Sequence, residues 1–520
     1  METYYKICEK FYETSCGDRF YYEQGLNTIT GCFKVSESGV REGETENGFW
    51  ITKLDHIENF YMEGTILAPI KLPTNDLDFQ MTKHDNYWRS NKIIICEKYS
   101  LYDIKTYEKF GLDILKNMCI VCAASRDNNI DFLNWWLDLG LELRYNRLAI
   151  EYASSQGHLM VLDWWLNSGL ELRYDELAID WASSQGHSRV LAWWLNSGLE
   201  LRYDELAIDW ASSRGHSRVL DWWLNSGLEL RYSKDAIDLA SSRGHINVLD
   251  WWLNSELELR YSKDAIKISS WLGRVNILDW WLNSGLELRY DELAIDWASA
   301  NGHAKVLDWW LNSGLELRYS IIAITCASNN GHLKVLDWWL NSGLELRYDN
   351  DSIDSVSSSS NVKVLDWWLN SGLELRYSNR AIQWASLNNQ INVLDWWLKS
   401  GLELRYDAEA IELASEKGHQ HILDWWLKSG LELKYNEKAI NAAIKDNKKE
   451  CVKWWIKSGL PLKYTKDIIQ WACERGYLDI LELWYEMKLP FGSVKNALEL
   501  ASENNHLEII NWFEKNGFRE

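Results

Sequence analysis

The sequence predicts a mostly α-helical protein, a solenoid of repeated helical hairpins that follows a small α+β segment. Three observations predict this fold class. A Trp-Trp doublet recurs every 29 residues, each 29-residue unit holds two apolar stripes with helical spacing, and residues 1–114 do not repeat. A short helix cannot bury its apolar stripe alone, so the units are expected to stack on one another.

The repeat period is constant along most of the chain. The phase continues without a doublet at Leu483/Trp484 and Trp512/Phe513, which makes fourteen units. The sequence therefore predicts two domains, a non-repetitive one at 1–114 and the repeats at 115–520. The doublets begin at Trp135, Trp164, Trp193, Trp222, Trp251, Trp280, Trp309, Trp338, Trp367, Trp396, Trp425 and Trp454.

The first helix of a unit is illustrated by residues 174–202. Asp175 is suited to cap the helix at its N-terminus, and Glu176 adds favourable charge to the first turn. An apolar stripe follows from Leu177 to Ala182 and includes Trp181. Gly186 is suited to the left-handed conformation that ends such a helix.

The second helix of the same unit is predicted to begin near Ser188. Residues 190–195 form a broad apolar face that contains the Trp doublet, and Gly198 supplies another C-terminal stop. Residues 199–202 then alternate apolar and polar side chains, which indicates a short extended link. The predicted unit is therefore helix, turn, helix and link.

This pattern resembles the ankyrin repeat. Gly186-His187, Val190-Leu191, Trp193-Trp194-Leu195 and Gly198 occupy the places of the ankyrin glycine-histidine, valine pair, leucine triplet and final glycine. The ankyrin unit has about 33 residues and opens with T-P-L-H, whereas this unit has 29 and reads Glu-Leu-Ala-Ile there. The resemblance implies an ankyrin-like helical-hairpin solenoid with shortened fingers that binds protein partners.

The short units and the N-terminal segment together resemble a narrower group. Units of this length with Trp-Trp doublets, preceded by a non-repetitive segment, are similar to the ankyrin-repeat proteins of giant DNA viruses of amoebae. The competing architecture is the leucine-rich repeat, whose units have about 20–29 residues. Asp204 stands where that repeat needs Asn or Cys, and two helical segments leave no room for its strand.

The N-terminal segment is predicted to be a small α+β domain. Residues 48–52, 66–70 and 92–96 are short, β-rich and bounded by polar turns, while residues 53–61 are compatible with a helix. This domain is also suited to cover the exposed end of the first unit, since terminal repeats need a cap. Residues 506–520 are more polar and are expected to cap the other end.

Composition restricts the partners and the compartment. The net charge is −21, so the chain as a whole repels nucleic-acid phosphates and anionic membranes. The nine cysteines are odd in number and scattered, which suits reduced thiols. The sequence contains no run of about 18 apolar residues, the length that a membrane span needs. We therefore expect a soluble monomer in the cytoplasm or nucleus, in a host cell if the protein is viral. We expect protein partners, no nucleic acid, no membrane and no cofactor.

Three recurring features are interpreted as structural. The Trp doublets occupy positions where ankyrin units pack two leucines, so we assign them to the core and not to a stacking platform for ligands. Cys119 and Cys122 lie on one helix without a second cysteine pair and are read as thiols, not as half of a metal site. Eight histidines share one phase and mark the turn between helices, namely His158, His187, His216, His245, His303, His332, His419 and His506.

Variation among the units indicates the partner-facing positions. The start of the first helix changes from unit to unit, and so does the turn, which reads Gln185-Gly186-His187-Ser188 in one unit and Asn329-Asn330-Gly331-His332 in another. The candidate partner-facing residues are Asp175, Glu176, Asp204, Glu205, Ser233, Lys234, Asp291, Glu292, Asp349 and Asn350. No catalytic, cofactor-binding or metal-ligating set is predicted.

The sequence favours a protein–protein interaction scaffold or adaptor that binds through an extended acidic solenoid surface. The alternative makes residues 1–114 an enzyme that the solenoid targets, with Asp55-His56 and His84-Asp85 as its histidine–carboxylate neighbours. A pocket with converging polar groups around these histidines would favour the enzyme. A structural role, for instance in a virion, is a third possibility.

Two places depart from the repeat pattern. Residues 351–360 read DSIDSVSSSS, and serine competes with the helical backbone for hydrogen bonds, so a soft joint is predicted there. Glu256 replaces the glycine that ends the second helix, and a left-handed residue without glycine costs about 1 kcal/mol.

Overall fold

The computed structural model describes residues 3–9, 11–13, 19–29, 48–140 and 144–518. Two cysteines, Cys16 and Cys32, lie outside these residues, and the seven described cysteines are free thiols. The chain divides into two compact units, Met1–Tyr261 and Ser262–Glu520. The first unit contains all ten described strands and the first repeats, and the second unit contains helical repeats.

The strands form an antiparallel sheet near the N-terminus. Its order is β4-β9-β6-β1-β5-β8-β7, with β10 beside β6, while β2 pairs with β3 separately. The three predicted strands are confirmed as β5, β6 and β9, and the helix expected at 53–61 is present as the 3-10 helix Leu54–Glu63. The strands are β1 Tyr4–Cys8, β2 Phe11–Glu13, β3 Arg19–Tyr21, β4 Gly25–Thr28, β5 Phe49–Thr52, β6 Ile66–Lys71, β7 Met81–Lys83, β8 Tyr87–Ser90, β9 Lys92–Ile95 and β10 Tyr99–Ser100.

Helices account for the remainder of the regular structure. Apart from α1 and the 3-10 helices Leu54–Glu63, Ile114–Lys116 and Ser355–Ser358, they come in hairpin pairs. In the first unit the α-helices are α1 Ile104–Phe110, α2 Cys119–Arg126, α3 Ile130–Asp138, α4 Leu148–Ser155, α5 Leu159–Asn167, α6 Leu177–Ser184, α7 Ser188–Asn196, α8 Leu206–Ser213, α9 Ser217–Asn225, α10 Asp235–Arg243 and α11 Ile246–Asn254. In the second unit they are α12 Asp264–Trp271, α13 Val275–Asn283, α14 Leu293–Ala300, α15 Ala304–Asn312, α16 Ile322–Asn329, α17 Leu333–Asn341, α18 Asp351–Asp354, α19 Val362–Asn370, α20 Arg380–Leu387, α21 Ile391–Lys399, α22 Glu409–Lys417, α23 Gln420–Lys428, α24 Glu437–Lys445, α25 Lys449–Lys457, α26 Ile468–Arg475, α27 Leu478–Glu486, α28 Val494–Glu503 and α29 Leu507–Lys515.

The predicted fold class is confirmed: helical hairpins repeat and pack on their neighbours within each unit. Within a unit, the first helices of adjacent repeats pack on one another, as α6 does on α4 and α8. The helix α6 begins after Asp175, whose carboxylate accepts the N–H of Leu177 at 3.0 Å. It ends at Ser184, and Gly186 two residues later turns the chain with a φ of 85°. Local sequence signals therefore set the helix bounds.

The Trp doublet divides into one core residue and one partly exposed residue. The second indole is fully buried from Trp165 to Trp484, whereas the first, as in Trp193, is half-buried in most repeats. The nitrogen of Trp194 donates to Ser154 of the preceding repeat at 3.1 Å, and that of Trp193 donates to Asp163 at 2.6 Å. The prediction that both indoles are core is therefore correct for the second and wrong for most of the first. The first indole lies at the margin of the helix–helix contact, where its nitrogen reaches an exposed carboxylate.

The histidines lie at the turns, as the sequence predicts, and the structure shows that they also join consecutive repeats. The Nε2 atom of His187 lies 3.0 Å from the carbonyl oxygen of Ser155 in the preceding repeat. Its ring fills the space beside Gly157, where a Cβ atom would lie 2.9 Å from the imidazole. Burial lowers the pKa of His187, which keeps the ring neutral.

The link between repeats forms neither helix nor strand. Its side chains still alternate, with Leu199 and Leu201 partly buried and Glu200 and Arg202 exposed. Glu200 and Arg202 form an ion pair at 2.6 Å, which contributes little because both side chains are more than half exposed. The hydroxyl of Tyr174 donates to the carbonyl of Glu200 at 3.0 Å, so the link is held against its own repeat.

The two predicted irregularities are present. Glu256 adopts a φ of 60°, in the left-handed region where the equivalent Gly227 has 75°. The segment DSIDSVSSSS forms only the four-residue α18, followed by the 3-10 helix Ser355–Ser358, where other first helices have eight to ten residues. The first helix of this repeat is therefore both shorter and less regular than its counterparts.

The N-terminal segment contacts the first repeat. Arg126, at the end of α2, forms an ion pair with Glu9 at 2.6 Å. The hydroxyl of Tyr102 donates to Asp127 at 2.8 Å, and its ring lies 5.0 Å from that of Phe132. In the described part of the chain, no helix is both long and apolar enough to cross a membrane.

Candidate protein-interaction surface

A groove runs across the first helices of consecutive repeats in the first unit. Its volume is about 400 Å³, and it spans the C-terminal halves of α4, α6 and α8. The three aromatic side chains in it, Tyr152, Trp181 and Trp210, occupy the same position in three repeats. All three are half-buried, so one part of each ring packs on the array and another is open to a partner.

The groove has a stacked aromatic wall and a base of small side chains. The rings of Tyr152 and Trp181 stack with centroids 6.3 Å apart and planes 13° apart. Ser155, Ser184 and Ser213 line the base and are at least 93% buried. Because serine is small, a side chain that enters the groove can approach the helical backbone closely.

Three arginines complete the groove, and no carboxylate lines it among the residues described there. Arg214 directly follows α8, and Arg243 is the last residue of α10; both are exposed. Arg126 is half-buried and already paired with Glu9 and Asp127. The groove therefore offers a positive potential in a chain with a net charge of −21.

The ten predicted partner-facing residues form five pairs of consecutive residues. The first member of each pair is partly buried and accepts a hydrogen bond within the protein. Asp175, Asp204, Asp291 and Asp349 each accept the N–H two residues ahead, at 2.7–3.2 Å. Ser233 accepts from Asp235 in the same way at 3.0 Å. These five residues cap the first helices.

The second members of these pairs are exposed at the helix starts. They are Glu176, Glu205, Lys234, Glu292 and Asn350. Their side chains lie at the end of the hairpin opposite to the turn, because each precedes the first helix and the turn follows it. Contact of any of the ten residues with a partner stays a prediction.

The capping residues also decide the electrostatics of buried carboxylates. Asp209 is buried in α8, and Ser233 of the next repeat donates its backbone N–H and its hydroxyl to it at 3.0 Å and 2.5 Å. Ser320 does the same for Asp296 at 2.9 Å and 2.6 Å. Burial still raises the pKa of Asp209, but the two hydrogen bonds oppose the shift.

In two repeats, the capping residue that faces the buried carboxyl group is an aspartate and not a serine, so it has no hydroxyl to donate. Asp180 is buried in α6, and the capping residue of the next repeat is Asp204. Burial, followed by repulsion from Asp204, raises the pKa of Asp180 to about 8. Burial and the neighbouring Asp175 raise the pKa of Glu151 to about 7 in the same way. In the folded protein, Asp180 is therefore mostly protonated at neutral pH, and Glu151 becomes so at slightly acidic pH.

The residues considered for catalysis or metal binding do not converge. His84 stacks on Tyr87 at 4.7 Å, and neither it nor His56 lines the apolar pocket of about 570 Å³ beside β6. The thiol of Cys122 is buried against Asn146 at 3.3 Å, and burial raises its pKa to about 11, which makes it a poor nucleophile and ligand. Within the described ranges, no group of three or more candidate ligands could hold a metal ion.

Sequence reasoning missed the aromatic groove. Trp181 belongs to the predicted apolar stripe of the first helix, but the structure buries Ala178, Ile179 and Ala182 and leaves Trp181 half-exposed. A usable signal is present, since this position varies among Tyr152, Trp181, Leu239 and other residues while the second Trp of the doublet barely changes. Variation of that kind is more typical of a surface than of a core.

Comparisons with known proteins place the chain near giant-virus proteins. It is 42% identical over 90 residues to an uncharacterized protein of Acanthamoeba polyphaga mimivirus. It is 24% identical over 106 residues to a protein of the same virus named "Putative ankyrin repeat protein". The matches cover 17% and 20% of this chain and 29% and 24% of the relatives, so less than a third of each relative is spanned. No protein-family model matches the chain.

Proposed function

We propose that the chain is a non-enzymatic interaction scaffold that binds one or more partner proteins through the surface of its helical repeats. The observation that carries this proposal is the row of half-exposed aromatic rings, Tyr152, Trp181 and Trp210, at one position of consecutive repeats. Trp, Tyr and Arg dominate the energetically important residues of protein interfaces. Open aromatic surface next to arginine is therefore the chemistry of a protein-binding site.

The similarity to mimivirus proteins supports a viral scaffold that acts on host proteins. One relative is named as an ankyrin repeat protein, and the unit pattern resembles that repeat, which typically binds proteins. The partners would then be proteins of the host cytoplasm or nucleus. Several repeats that engage one partner together would add their modest contacts into useful affinity.

We propose that residues 1–114 cap the repeats at 115–520. The ion pair of Arg126 with Glu9 and the hydrogen bond of Tyr102 to Asp127 join this segment to the first repeat. His84 packs on Tyr87 and His56 lies outside the pocket of its domain, so no observation in the described residues favours the enzyme hypothesis.

The experiment is affinity purification of the full chain from amoebal extract, followed by direct binding of each purified candidate. The triple variant Tyr152→Ala, Trp181→Ala, Trp210→Ala should lose a direct partner, because these rings supply the open aromatic surface. A matched control replaces Tyr485 and Trp471, exposed aromatic residues of the second unit, by alanine. If no candidate binds the purified wild-type chain directly, the scaffold proposal is wrong.

A further inference from the structure

We propose that the groove formed by Tyr152, Trp181, Trp210, Arg214 and Arg243 binds an extended acidic segment of a partner protein. This proposal rests on the scaffold function and specifies the chemistry of its partner. The segment would carry two carboxylates for the arginines and, beside them, an apolar or aromatic side chain for the aromatic rings.

The aromatic rings favour a flat or branched apolar side chain. The planes of Tyr152 and Trp181 are nearly parallel, and both rings are half-open, as is Trp210. The serines at the base are buried and small, so they give depth without adding charge. An apolar side chain placed there loses contact with water on several sides, which is the main source of affinity in such pockets.

The two arginines supply the charge selectivity. Arg214 and Arg243 are exposed and form no ion pair with any carboxylate of the described chain. Arginines of the links differ, since Arg202 and Arg231 are paired with Glu200 and Glu229 at 2.6 Å and 2.9 Å. A guanidinium binds a carboxylate through two parallel hydrogen bonds. An Asp or Glu of the partner would therefore pair with the guanidinium groups of Arg214 and Arg243.

The spacing of the repeats sets the spacing of the carboxylates. Arg214 and Arg243 are 29 residues apart and therefore one repeat apart. Packed helices lie roughly 8–10 Å apart, and an extended peptide advances about 3.3 Å per residue. Acidic side chains three residues apart would thus reach both arginines. Trp210 lies in the repeat of Arg214, and Trp181 and Tyr152 lie in the two preceding repeats, so the apolar side chain of the segment would lie next to the acidic pair, on the side of Arg214.

The charge of the whole chain favours a peptide over a nucleic acid. The net charge is −21, and the opposite ends of these hairpins carry Glu176 and Glu205 in exposed positions. A nucleic acid gains affinity from many phosphate contacts along its backbone. Arg214 and Arg243 alone could make only a few such contacts. A short acidic peptide needs only those two.

The arginine pair is particular to this part of the chain. The equivalent positions in the first repeats of the second unit are Leu272, Asn301 and Asn330. Exposed lysines do occur one repeat apart at Lys305 and Lys334, in the first turns of α15 and α17. Lys305→Glu with Lys334→Glu therefore changes the net charge as much as Arg214→Glu with Arg243→Glu, without touching the groove.

The test measures binding of a fluorescein-labelled peptide, Gly-Leu-Trp-Glu-Ser-Ser-Glu-Trp-Leu-Gly, to the full chain by fluorescence polarisation. Its apolar residues lie on both sides of the acidic pair, so they can meet the rings in either chain direction. We expect saturable binding that weakens with added salt. The variant R214E/R243E should weaken it by roughly tenfold or more, because charge-assisted hydrogen bonds are lost. W181A/W210A should weaken it by a similar factor, whereas K305E/K334E should leave it within about twofold.

Three outcomes would overturn the proposal. They are equal binding of a peptide with lysines in place of both glutamates, equal loss of affinity in K305E/K334E and R214E/R243E, and tighter binding of a twenty-nucleotide oligo(dT) that R214E/R243E abolishes. Circular dichroism and melting of each variant show that the fold is retained. A host partner that still binds R214E/R243E directly would remove the groove as its site and leave the scaffold function standing.

Discussion

The indole nitrogen of Trp310 donates a hydrogen bond at 3.3 Å to the hydroxyl of Ser270, forty residues earlier and in the preceding repeat. The same bond recurs elsewhere at 2.9–3.3 Å, for instance from Trp223 to Ser183 and from Trp426 to Ser386. Each of these buried indoles therefore satisfies its only polar atom while it fills the space between two hairpins. This recurring contact explains why the chain keeps tryptophan at that position.

Replacing Trp310 by alanine should lower the free energy of unfolding by about 3–5 kcal/mol, as for other buried aromatic side chains. Trp310 is 1% exposed, so its removal leaves a cavity. The measurement is urea unfolding followed by far-UV circular dichroism. Trp338→Ala is the matched control, since Trp338 is the half-buried member of its doublet. An equal effect of the two substitutions would contradict the assignment of Trp310 to the core and of Trp338 to the margin of the helix contact.

Replacing Asp204 by serine should stabilise the protein at alkaline pH. The pKa of Asp180 is raised to about 8 in the folded chain, above the value of about 4 in an unfolded one. Its contribution to stability is thus fully present below about pH 4 and is lost as the pH rises towards 8. Serine removes the repelling carboxylate and supplies donors, as Ser233 does for Asp209.

The expected gain from Asp204→Ser at pH 8–9 is on the order of a few kcal/mol, with little gain near pH 4. Thermal melting between pH 4 and pH 9 measures it. The reverse substitution, Ser233→Asp, recreates an acid pair with Asp209 and should destabilise the protein most above neutral pH. Parallel pH profiles for wild type and both variants would show that Asp180 and Asp204 are not coupled.

Replacing Glu256 by glycine should stabilise the protein by about 1 kcal/mol, because only glycine adopts a positive φ without penalty. Gly227→Glu is the mirror-image control. A Cβ at Gly227 meets no atom within 4 Å, so the cost there comes from the backbone alone. Chemical unfolding of both variants measures the effect, and opposite signs are expected. A destabilised Glu256→Gly protein would mean that the Glu256 side chain makes a favourable contact that outweighs the strain.

Amides of residues 351–358 should exchange with solvent roughly tenfold or more faster than those of α14, since short and irregular helices open locally at low free energy. The four-residue α18 and the 3-10 helix Ser355–Ser358 replace a full first helix there. Hydrogen–deuterium exchange with mass spectrometry compares the two segments in one sample. Equal protection would show that packing by the neighbouring helices compensates for the poor helix formers.

Much of the fold follows from local patterns. The cap at Asp175 and the stop at Gly186 predict a first helix between them, and α6 occupies Leu177–Ser184. The β-rich runs at 66–70 and 92–96 likewise become β6 and β9. These predictions hold because capping, glycine turns and apolar alternation act over a few residues.

The candidate surface was less predictable. Helical spacing places Trp181 and Ala182 on one stripe, but only Ala182 is buried. A stripe on a helix is wide, and the part of it that meets the neighbouring repeat depends on how the repeats stack. The open state of Arg214 and Arg243 depends in the same way on where the carboxylates of other repeats lie.

The amino-acid order alone therefore established the 29-residue period, the helix bounds and the glycine turns. The stacking of the repeats decided which indole of each doublet is buried. It also decided which carboxyl groups lie side by side away from water and which aromatic rings remain partly exposed. Tertiary pairing among distant segments likewise decided the order of the strands, in which β1 lies between β6 and β5. The reason is distance along the chain: Trp194 with Ser154 and Ser233 with Asp209 meet across 40 and 24 residues, and no local pattern encodes such contacts.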